Sequence, residues 1–207
     1  SYKEGGGFLG DLEGNWESQV TQGIGNSYGV EALVQKKFGR TSGWIGYTLS
    51  WSNRQFDDLN SGEWFPFTYD RRHDLSVVLT QKFNDKWSGS LAWVYGTGRA
   101  VTLTETVFNG LTYGGFAYGD DPVASEWQVP SGRNAFRMSP YHRLDVSMTR
   151  VKPGSEGNRA LIFSAYNAYN NLNPFFALAE TEADGTRIIR EYGLFPIIPS
   201  IAWRFHF

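Results

Sequence analysis

Polar and apolar residues alternate along several stretches of the chain with a period of two. At residues 73–83, for example, His73, Leu75, Val77, Leu79 and Phe83 fall on one side of an extended chain and mostly polar residues on the other. The same alternation occurs at residues 28–38, 43–54, 87–96 and 141–151. A period of two is typical of a strand with one apolar face. Each stretch is about ten residues long, which suits a tilted strand crossing a bilayer better than an average soluble strand.

The pattern predicts seven strands. They lie near residues 28–38, 43–56, 71–83, 86–104, 138–151, 159–182 and 187–207. The last two are expected to form a long hairpin over residues 183–186, where Asp-Gly is a turn signal. The alternation places Leu79 on the lipid-facing side of its strand.

Short and long connections alternate between these strands. The short ones are residues 39–42, 84–86 and 152–158, and the long ones include residues 55–71 and about 97–140. Outer-membrane barrels have this asymmetry, with tight periplasmic turns and long extracellular loops.

The C-terminal segment ends on aromatic residues of one face. Ile197, Ile201, Trp203, Phe205 and Phe207 alternate with Ser200, Ala202, Arg204 and His206. Outer-membrane barrels commonly end on such a residue, which their assembly machinery reads. Trp203, Phe205 and Phe207 are therefore predicted to be an assembly signal. The alternative is a core strand that ends a soluble domain. Pro196 and Pro199 interrupt regular pairing, because neither can donate to the sheet.

Composition excludes several classes of protein. The 207 residues contain no Cys, which excludes disulfides, thiolate metal sites and a cysteine nucleophile. The net charge of −2 gives no basic surface for nucleic acid. No uncharged apolar run reaches the length of a membrane helix, about 18 residues. Ser1 follows neither an initiator Met nor a signal peptide, so we expect a processed chain or a fragment.

Five segments and the last strand carry a family resemblance. Ser-Tyr-Gly-Val-Glu lies at 27–31 with Leu-Val-Gln-Lys-Lys at 33–37, and Gly-Trp-Ile-Gly-Tyr-Thr-Leu-Ser lies at 43–50 with Arg54 and Phe56. Asp-Arg-Arg-His-Asp-Leu follows at 70–75, Tyr-His-Arg-Leu-Asp-Val-Ser at 141–147, and Tyr-Asn at 166–167 with Asn-Pro-Phe-Phe at 173–176. Phe-Pro-Ile-Ile-Pro-Ser at 195–200 completes the order. Together they resemble the C-terminal part of TonB-dependent outer-membrane receptors of the type common in Bacteroidota.

The resemblance implies an all-β fold, an antiparallel transmembrane β-barrel of 22 strands filled by an N-terminal plug. About seven strands would belong to this chain, with residues 1–27 as an extracellular loop segment and residues 28–207 as C-terminal barrel strands and extracellular loops. The implied function is nutrient uptake across the bacterial outer membrane. The implied partners are the remainder of the barrel and the plug, TonB through the plug, the lipid bilayer with lipopolysaccharide, and the barrel-assembly machinery.

Aromatic residues of the two long connections are candidates for substrate binding. The first connection contains Phe56, Trp64, Phe65 and Tyr69, and the second contains Phe116, Tyr118 and Trp127. Exposed aromatics on loops mark binding surfaces. The aromatics of the first connection could equally belong to the belt at the membrane interface. A cation site at Asp120 and Asp121 is a weaker hypothesis.

Charged residues near the strand ends have two interpretations. Arg54, Arg72, Asp74 and Arg143 either contact the lumen or plug, or form a charge ladder between neighbouring strands. The three histidines, His73, His142 and His206, have no metal-ligand spacing, so no metal or other cofactor is expected.

Two other functions stay open. A small closed outer-membrane barrel would act as a binding or structural module without transport, with a lumen filled by side chains. An outer-membrane enzyme would need a Ser or Asp hydrogen-bonded to His73 or His142. The chain contains no nucleophile-elbow motif, and we therefore predict no enzymatic activity.

Overall fold

The computed structural model describes residues 20–112, 123–130, 132–152, 159–182 and 186–205, with the backbone alone at 104–112, 123–130, 181 and 187. Its strands are β1 (Gly23–Lys36), β2 (Thr41–Phe56), β3 (Phe65–Pro66), β4 (His73–Lys82), β5 (Trp87–Gly96), β6 (Ala100–Val101), β7 (Thr104–Thr112), β8 (Val123–Pro130), β9 (Phe136–Arg137), β10 (Tyr141–Val151), β11 (Arg159–Tyr166), β12 (Pro174–Thr181), β13 (Arg187–Gly193) and β14 (Ile198–Phe205). The described chain is therefore all-β. None of its described residues forms a helix with the length and apolar character needed to span a membrane.

One antiparallel sheet dominates the fold. Its order is β1-β2-β4-β5-β10-β11-β14, with the short β3 pairing against β2. The seven strands of this path are the seven that the alternation predicts. β1 and β14 lie at opposite ends of the sheet and do not pair with each other in the described residues. The antiparallel all-β prediction is thus confirmed, and the described strands do not form a closed barrel.

The largest differences from the predicted strand bounds lie at four places. β1 begins at Gly23, five residues earlier than expected, and β5 ends at Gly96 instead of continuing to 104. A Cβ on Gly98 would overlap the carbonyl group of Met138, so the chain bends here where another segment crosses closely. The predicted strands 159–182 and 187–207 are both broken, at residues 167–173 and 194–197. Their hairpin therefore has two stems, β11 with β14 and β12 with β13.

The connections alternate in length as predicted. Residues 37–40, 83–86 and 152–158 join strands at one end of the sheet, and residues 57–72, 97–140 and 167–197 join them at the other. These are called the short-turn end and the long-connection end. At the short-turn end Gly39 has a φ of 99°, a conformation that glycine adopts without steric cost.

Buried apolar side chains are concentrated in the long connections. Leu59, Phe65, Ala100, Leu103 and Met138 are each at most 7% exposed. They come from residues 57–72, 97–103 and 132–140, and we call this group the loop cluster. The seven long strands of the sheet have little buried apolar surface, since Ala160 is the one buried apolar residue among their described residues. The hydrophobic core therefore sits beside the sheet and leaves its faces open.

Candidate functional site

The pairing register places most of the large apolar residues of seven strands on one side of the sheet, although Trp44, Val78 and Ile162 lie on the other. In one row Val34 pairs with Ile45, Ile45 with Val77, Val77 with Trp93 and Trp93 with Leu144. Directly paired residues share a face, and residues two apart along a strand share it too. The apolar face defined in this way consists of Tyr28, Val30, Ala32, Val34, Ile45, Tyr47, Leu49, Trp51, Leu75, Val77, Leu79, Leu91, Trp93, Tyr95, Leu144, Val146, Met148, Leu161, Phe163, Ala165, Ile201, Trp203 and Phe205.

The apolar face is the more exposed of the two on β2, β10 and β11. On β4 the polar-face residues Thr80 and Lys82 are exposed, and on β1 and β14 both faces are exposed. On β10 the exposed residues are Val146, Met148 and Arg150, whereas the intervening Ser147 and Thr149 are half-buried. Ile45 and Tyr47 on β2 and Phe163 on β11 follow the same rule. Seven strands about 4.8 Å apart and about eight residues long make a face of roughly 900 Å². The largest apolar patch of a soluble monomer is about 300–600 Å².

The opposite, polar face is tied together by hydroxyl groups. Three pairs of serines bond across neighbouring strands at 2.7–2.8 Å, namely Ser27 with Ser52, Ser90 with Ser147 and Ser164 with Ser200. At the long-connection end of this face Arg143 bonds the Tyr141 and Tyr166 hydroxyls at 2.8 and 2.9 Å and pairs with Asp145 at 2.9 Å. Hydrogen bonds between side chains thus link neighbouring strands on this face.

Aromatic side chains gather at both ends of the apolar face. Tyr28 stacks on Trp51 near the long-connection end, with ring centroids 5.4 Å apart. Two imidazole–phenol hydrogen bonds lie at the same end, His73 with Tyr47 at 2.8 Å and His142 with Tyr169 at 2.9 Å. Near the short-turn end are Phe38, Phe83, Trp87, Trp203 and Phe205. Aromatic rings at both borders of an apolar band are typical of membrane interfaces.

Asp70 links the segments that contribute the loop cluster. Its side chain is fully buried, accepts a bond from Arg137 Nη2 at 2.6 Å and lies 3.4 Å from Arg72 Nη2. Its other carboxylate oxygen accepts the backbone N–H of Ser52 at 2.8 Å. Arg137 also donates to the carbonyls of Asp70 and Gly98. One carboxylate therefore holds β2, the first long connection and the second long connection together.

Two asparagines reinforce this junction. Asn134, with a φ of 53°, donates to the carbonyl of Pro66 at 2.8 Å, and Asn60 Oδ1 accepts the backbone N–H of Arg133 at 2.8 Å. Asparagine adopts positive φ more readily than other side-chain-bearing residues. The two long connections are thus joined by several hydrogen bonds and have a defined relative position.

The predicted substrate-binding residues occupy very different environments. Phe65 is 5% exposed and stacks on the half-buried Phe56, so these two rings pack within the protein. Trp64 is 46% exposed and Tyr69 is 70% exposed, and both lie on the outside of the loop cluster. Phe116 and Tyr118, like Asp120 and Asp121, lie outside the described residues. Trp127 belongs to β8, where only the backbone is described.

The predicted lumen or plug contacts do not form one ladder. Arg54 and Arg143 lie on the polar face, where the Arg54 guanidinium sits 4.3 Å from the Phe67 ring centre. Arg72 lies between Asp70 and the Trp51 ring, and Asp74 is 3.5 Å from Arg71. The charge partners are thus mostly close in sequence, apart from Arg137. Arg137 is a partner that the sequence pattern does not indicate.

The predicted assembly signal lies on the free end of the sheet. Trp203 and Phe205 of β14 point to the apolar face, with exposed fractions of 70% and 49% and ring centroids 5.5 Å apart. Phe207 and His206 lie outside the described residues.

A cluster of asparagines closes the break in the last hairpin, a role that the sequence pattern does not indicate for them. Asn167 is fully buried, has a φ of 52° and donates to the carbonyls of Asn171 and Phe195. Asn173 accepts the backbone N–H of His142 at 2.7 Å, and Asn170 accepts that of Ile197 at 2.8 Å. The available signal is four asparagines within residues 167–173, because asparagine favours turns and caps backbone groups.

The hairpin of β12 and β13 extends beyond this break and contacts the second long connection. Arg99 donates to the carbonyl of Phe175, and Glu191 accepts the backbone N–H of Ser139 at 2.7 Å. Phe175 and Leu178 are exposed. Tyr192 donates to Glu180, and this hydrogen bond to a carboxylate raises the pKa of Tyr192.

Catalytic or metal-binding groups do not converge in the described residues. No three His, Asp or Glu side chains there are placed to hold a metal ion. The His73 and His142 rings bond tyrosine hydroxyls, and no Ser or Asp side chain among the described residues bonds either ring. The arrangement supplies surfaces for contact, with Trp64 and Tyr69 on the loop cluster and the apolar face on the sheet.

Comparisons with protein-family models, curated proteins and solved structures found no match to this chain.

Proposed function

We propose that this chain forms part of the wall of an outer-membrane β-barrel that takes up a nutrient, as the C-terminal section of a TonB-dependent transporter. The observation that carries the proposal is the apolar face, which is continuous over seven strands and is more exposed than the polar face on β2, β10 and β11. Water penalises such a face by about 25 cal/mol for each Å² of apolar surface. Hydrocarbon removes that penalty, and the aromatic borders suit the two interfaces of a bilayer.

In this proposal the polar face lines the interior and the long-connection end faces the outside of the cell. Strand edges exposed to lipid are very costly, because their N–H and C=O groups have no water to bond. β1 and β14 would therefore pair with further strands of the same barrel. A small closed barrel instead requires β1 and β14 to pair with each other or with a shared eighth strand from residues 1–27, and the described strands pair in neither way. We accordingly favour a wall section of a larger barrel over the small barrel.

The loop cluster would present the substrate contacts. Trp64 and Tyr69 are exposed rings on a segment whose position is set by Asp70 and Asn134. Such rings can stack on the face of a sugar or another flat apolar group. Phe56 and Phe65 would support them from inside. We propose no catalytic role for any residue.

Replacing both Trp64 and Tyr69 by alanine is expected to reduce nutrient uptake at least tenfold without changing the amount of chain in the outer membrane. The reason is that each exposed ring contributes contact area to the ligand and little to folding. Uptake of a panel of labelled siderophores, cobalamin and oligosaccharides is compared in cells with and without the chain, before and after the proton gradient is dissipated. Phe38→Ala, at an 84% exposed ring of the short-turn end, is the matched control.

The proposed function is contradicted if outer-membrane fractions lack the chain. It is also contradicted if cells without the chain take up every member of the panel at the normal rate. Uptake that persists in the Trp64 and Tyr69 variant would contradict the assignment of the capture surface alone.

A further inference from the structure

Both edge strands of the sheet run in the same direction. Each of the six neighbouring pairs along the path from β1 to β14 is antiparallel. Six reversals return the seventh strand to the direction of the first, so β1 and β14 both run from the long-connection end to the short-turn end. Direct pairing of β1 with β14 would therefore be parallel.

The hydrogen bonds of β2 show which backbone groups of β1 face outward. In a strand the N–H and C=O groups of successive residues point to opposite sides. The N–H of Ser50 donates to the carbonyl of Arg72 at 3.1 Å, on the β4 side of β2. Odd-numbered residues of β2 therefore bond β1, and their partners on β1 are even-numbered. The odd-numbered residues of β1, such as Ser27 and Glu31, direct their N–H and C=O groups away from the sheet.

The outward groups of β14 follow in the same way. The N–H of Val151 donates to the carbonyl of Lys86 at 2.8 Å, on the β5 side of β10. Even-numbered residues of β10 therefore bond odd-numbered residues of β11, and even-numbered residues of β11 bond even-numbered residues of β14. Ile201 and Trp203 thus have outward N–H and C=O groups. Pro199 is also odd-numbered, so its missing N–H removes no bond between β11 and β14.

Each outward row of backbone groups needs a partner strand in a membrane. N–H and C=O groups that face hydrocarbon find no water to bond, so an open edge is very costly there. The apolar face extends to both edges, through Val30 and Val34 on β1 and through Ile201 and Trp203 on β14. A partner strand must therefore be apolar on the same side as these residues and polar on the other.

A second copy of the described sheet does not supply such a partner. Copies with the same orientation in the membrane present β1 or β14 as edges, and both run in the direction of the strand that they would join. Every contact between these edges would be parallel, whereas the strands of bacterial outer-membrane barrels are antiparallel. An inverted copy would bring its long connections to the other side of the membrane. The partner strands therefore differ from the seven described strands.

We propose that the free edges of β1 and β14 are completed by one further wall section that contains an odd number of strands and no second copy of these seven. The edge strands of that section run from the short-turn end to the long-connection end, antiparallel to both β1 and β14. The inference rests on the proposed barrel wall, because an edge that faces water needs no such partner. An odd number added to seven gives the even total that bacterial barrels have.

The first measurement is backbone hydrogen exchange of the full chain in outer membranes, resolved residue by residue. The outward amides of Glu31 and Ile201 are expected to exchange as slowly as the inward amides of Ala32 and Ala202, which serve as internal controls. On an open edge the outward amides would exchange about a hundredfold faster than the inward ones.

The second measurement determines whether two copies meet at their edges. Two versions of the chain with different tags are produced together and treated with a short bis-maleimide in the membrane. Each version carries either Ser27→Cys or Ser200→Cys, on the polar face of β1 and β14. Phe38→Cys, at an 84% exposed ring of a turn, measures random collision between copies. Copies are expected to be cross-linked through positions 27 and 200 no more than through position 38.

Two outcomes would overturn the inference. They are fast exchange at the outward amides and cross-linking of copies through positions 27 and 200 in higher yield than through position 38. A chain that supports nutrient uptake from the outer membrane and gives either outcome defeats this inference alone. A chain that is absent from outer membranes defeats the proposed function. Slow exchange at both edges, with one shared strand cross-linked to both, would support the odd number and contradict the larger barrel.

Discussion

Replacement of Leu79 by arginine is expected to prevent assembly of the chain into the outer membrane. Leu79 lies on the apolar face, paired with Gly43 on one side and Leu91 on the other. A lipid-facing arginine costs about 2–4 kcal/mol at the bilayer midplane. Gly43 and Leu91, the residues paired with Leu79, carry no charge, so neither offers the new arginine an ionic partner. The fraction of chain in outer membranes, and its resistance to unfolding in cold detergent before heating, measure the effect.

The matched control is Thr80→Arg on the same strand. Thr80 is exposed and pairs with Ser42 and Ser90 on the polar face, where the proposal places water. This variant should assemble in normal amounts. Normal assembly of Leu79→Arg, or equal failure of both variants, would contradict the assignment of the two faces.

Asp70→Asn is expected to loosen the loop cluster while leaving the sheet paired. The Asp70 side chain is fully buried and is shared by Arg137 and Arg72. Removing one member of a buried ion pair costs about 3–5 kcal/mol, and the value here should lie near the lower limit because both arginines are about one-third exposed. Limited proteolysis should then cut residues 57–72 at a protease concentration that leaves the wild type intact.

Asp74→Asn is the matched control, because it removes the same charge from an exposed aspartate. Asp74 lies four residues away and its contact with Arg71 at 3.5 Å is more than 40% exposed on both sides. An exposed pair contributes only about 0–1 kcal/mol, so this variant should resist protease as the wild type does. Equal sensitivity of the two variants would mean that Asp70 does not organise the loop cluster.

The strands of the sheet are predictable from the sequence because the alternation that marks each strand lies within its own residues. Each strand needs only its own alternation, as in Leu75, Val77 and Leu79, and the same alternation sets which face is apolar. The breaks at residues 167–173 and 194–197 are not visible in that pattern. They depend on Asn167 and Phe195, which meet across a hairpin and both have positive φ.

For the candidate site, the sequence predicts the residue types present but not which of them are buried or exposed. The first long connection is visibly rich in aromatic residues, but the sequence does not show that Phe65 is buried while Trp64 is exposed. That difference arises from contacts with residues 132–137, far away along the chain, which fix the course of the connection. Arg137 is missed for the same reason.

The central claim is that the apolar face contacts lipid. Because the 207 residues contain no cysteine, a single cysteine introduced at each position from 73 to 82 carries the only spin label in the chain. With the chain in outer membranes, the collision rate of each spin label with oxygen is compared with its collision rate with a water-soluble nickel complex. Oxygen concentrates in hydrocarbon, whereas the nickel complex stays in water. We predict that oxygen access peaks at 75, 77 and 79 and that nickel access peaks at 74, 76, 78 and 80. Equal access along the strand, or nickel access that peaks at the odd positions, would contradict the account.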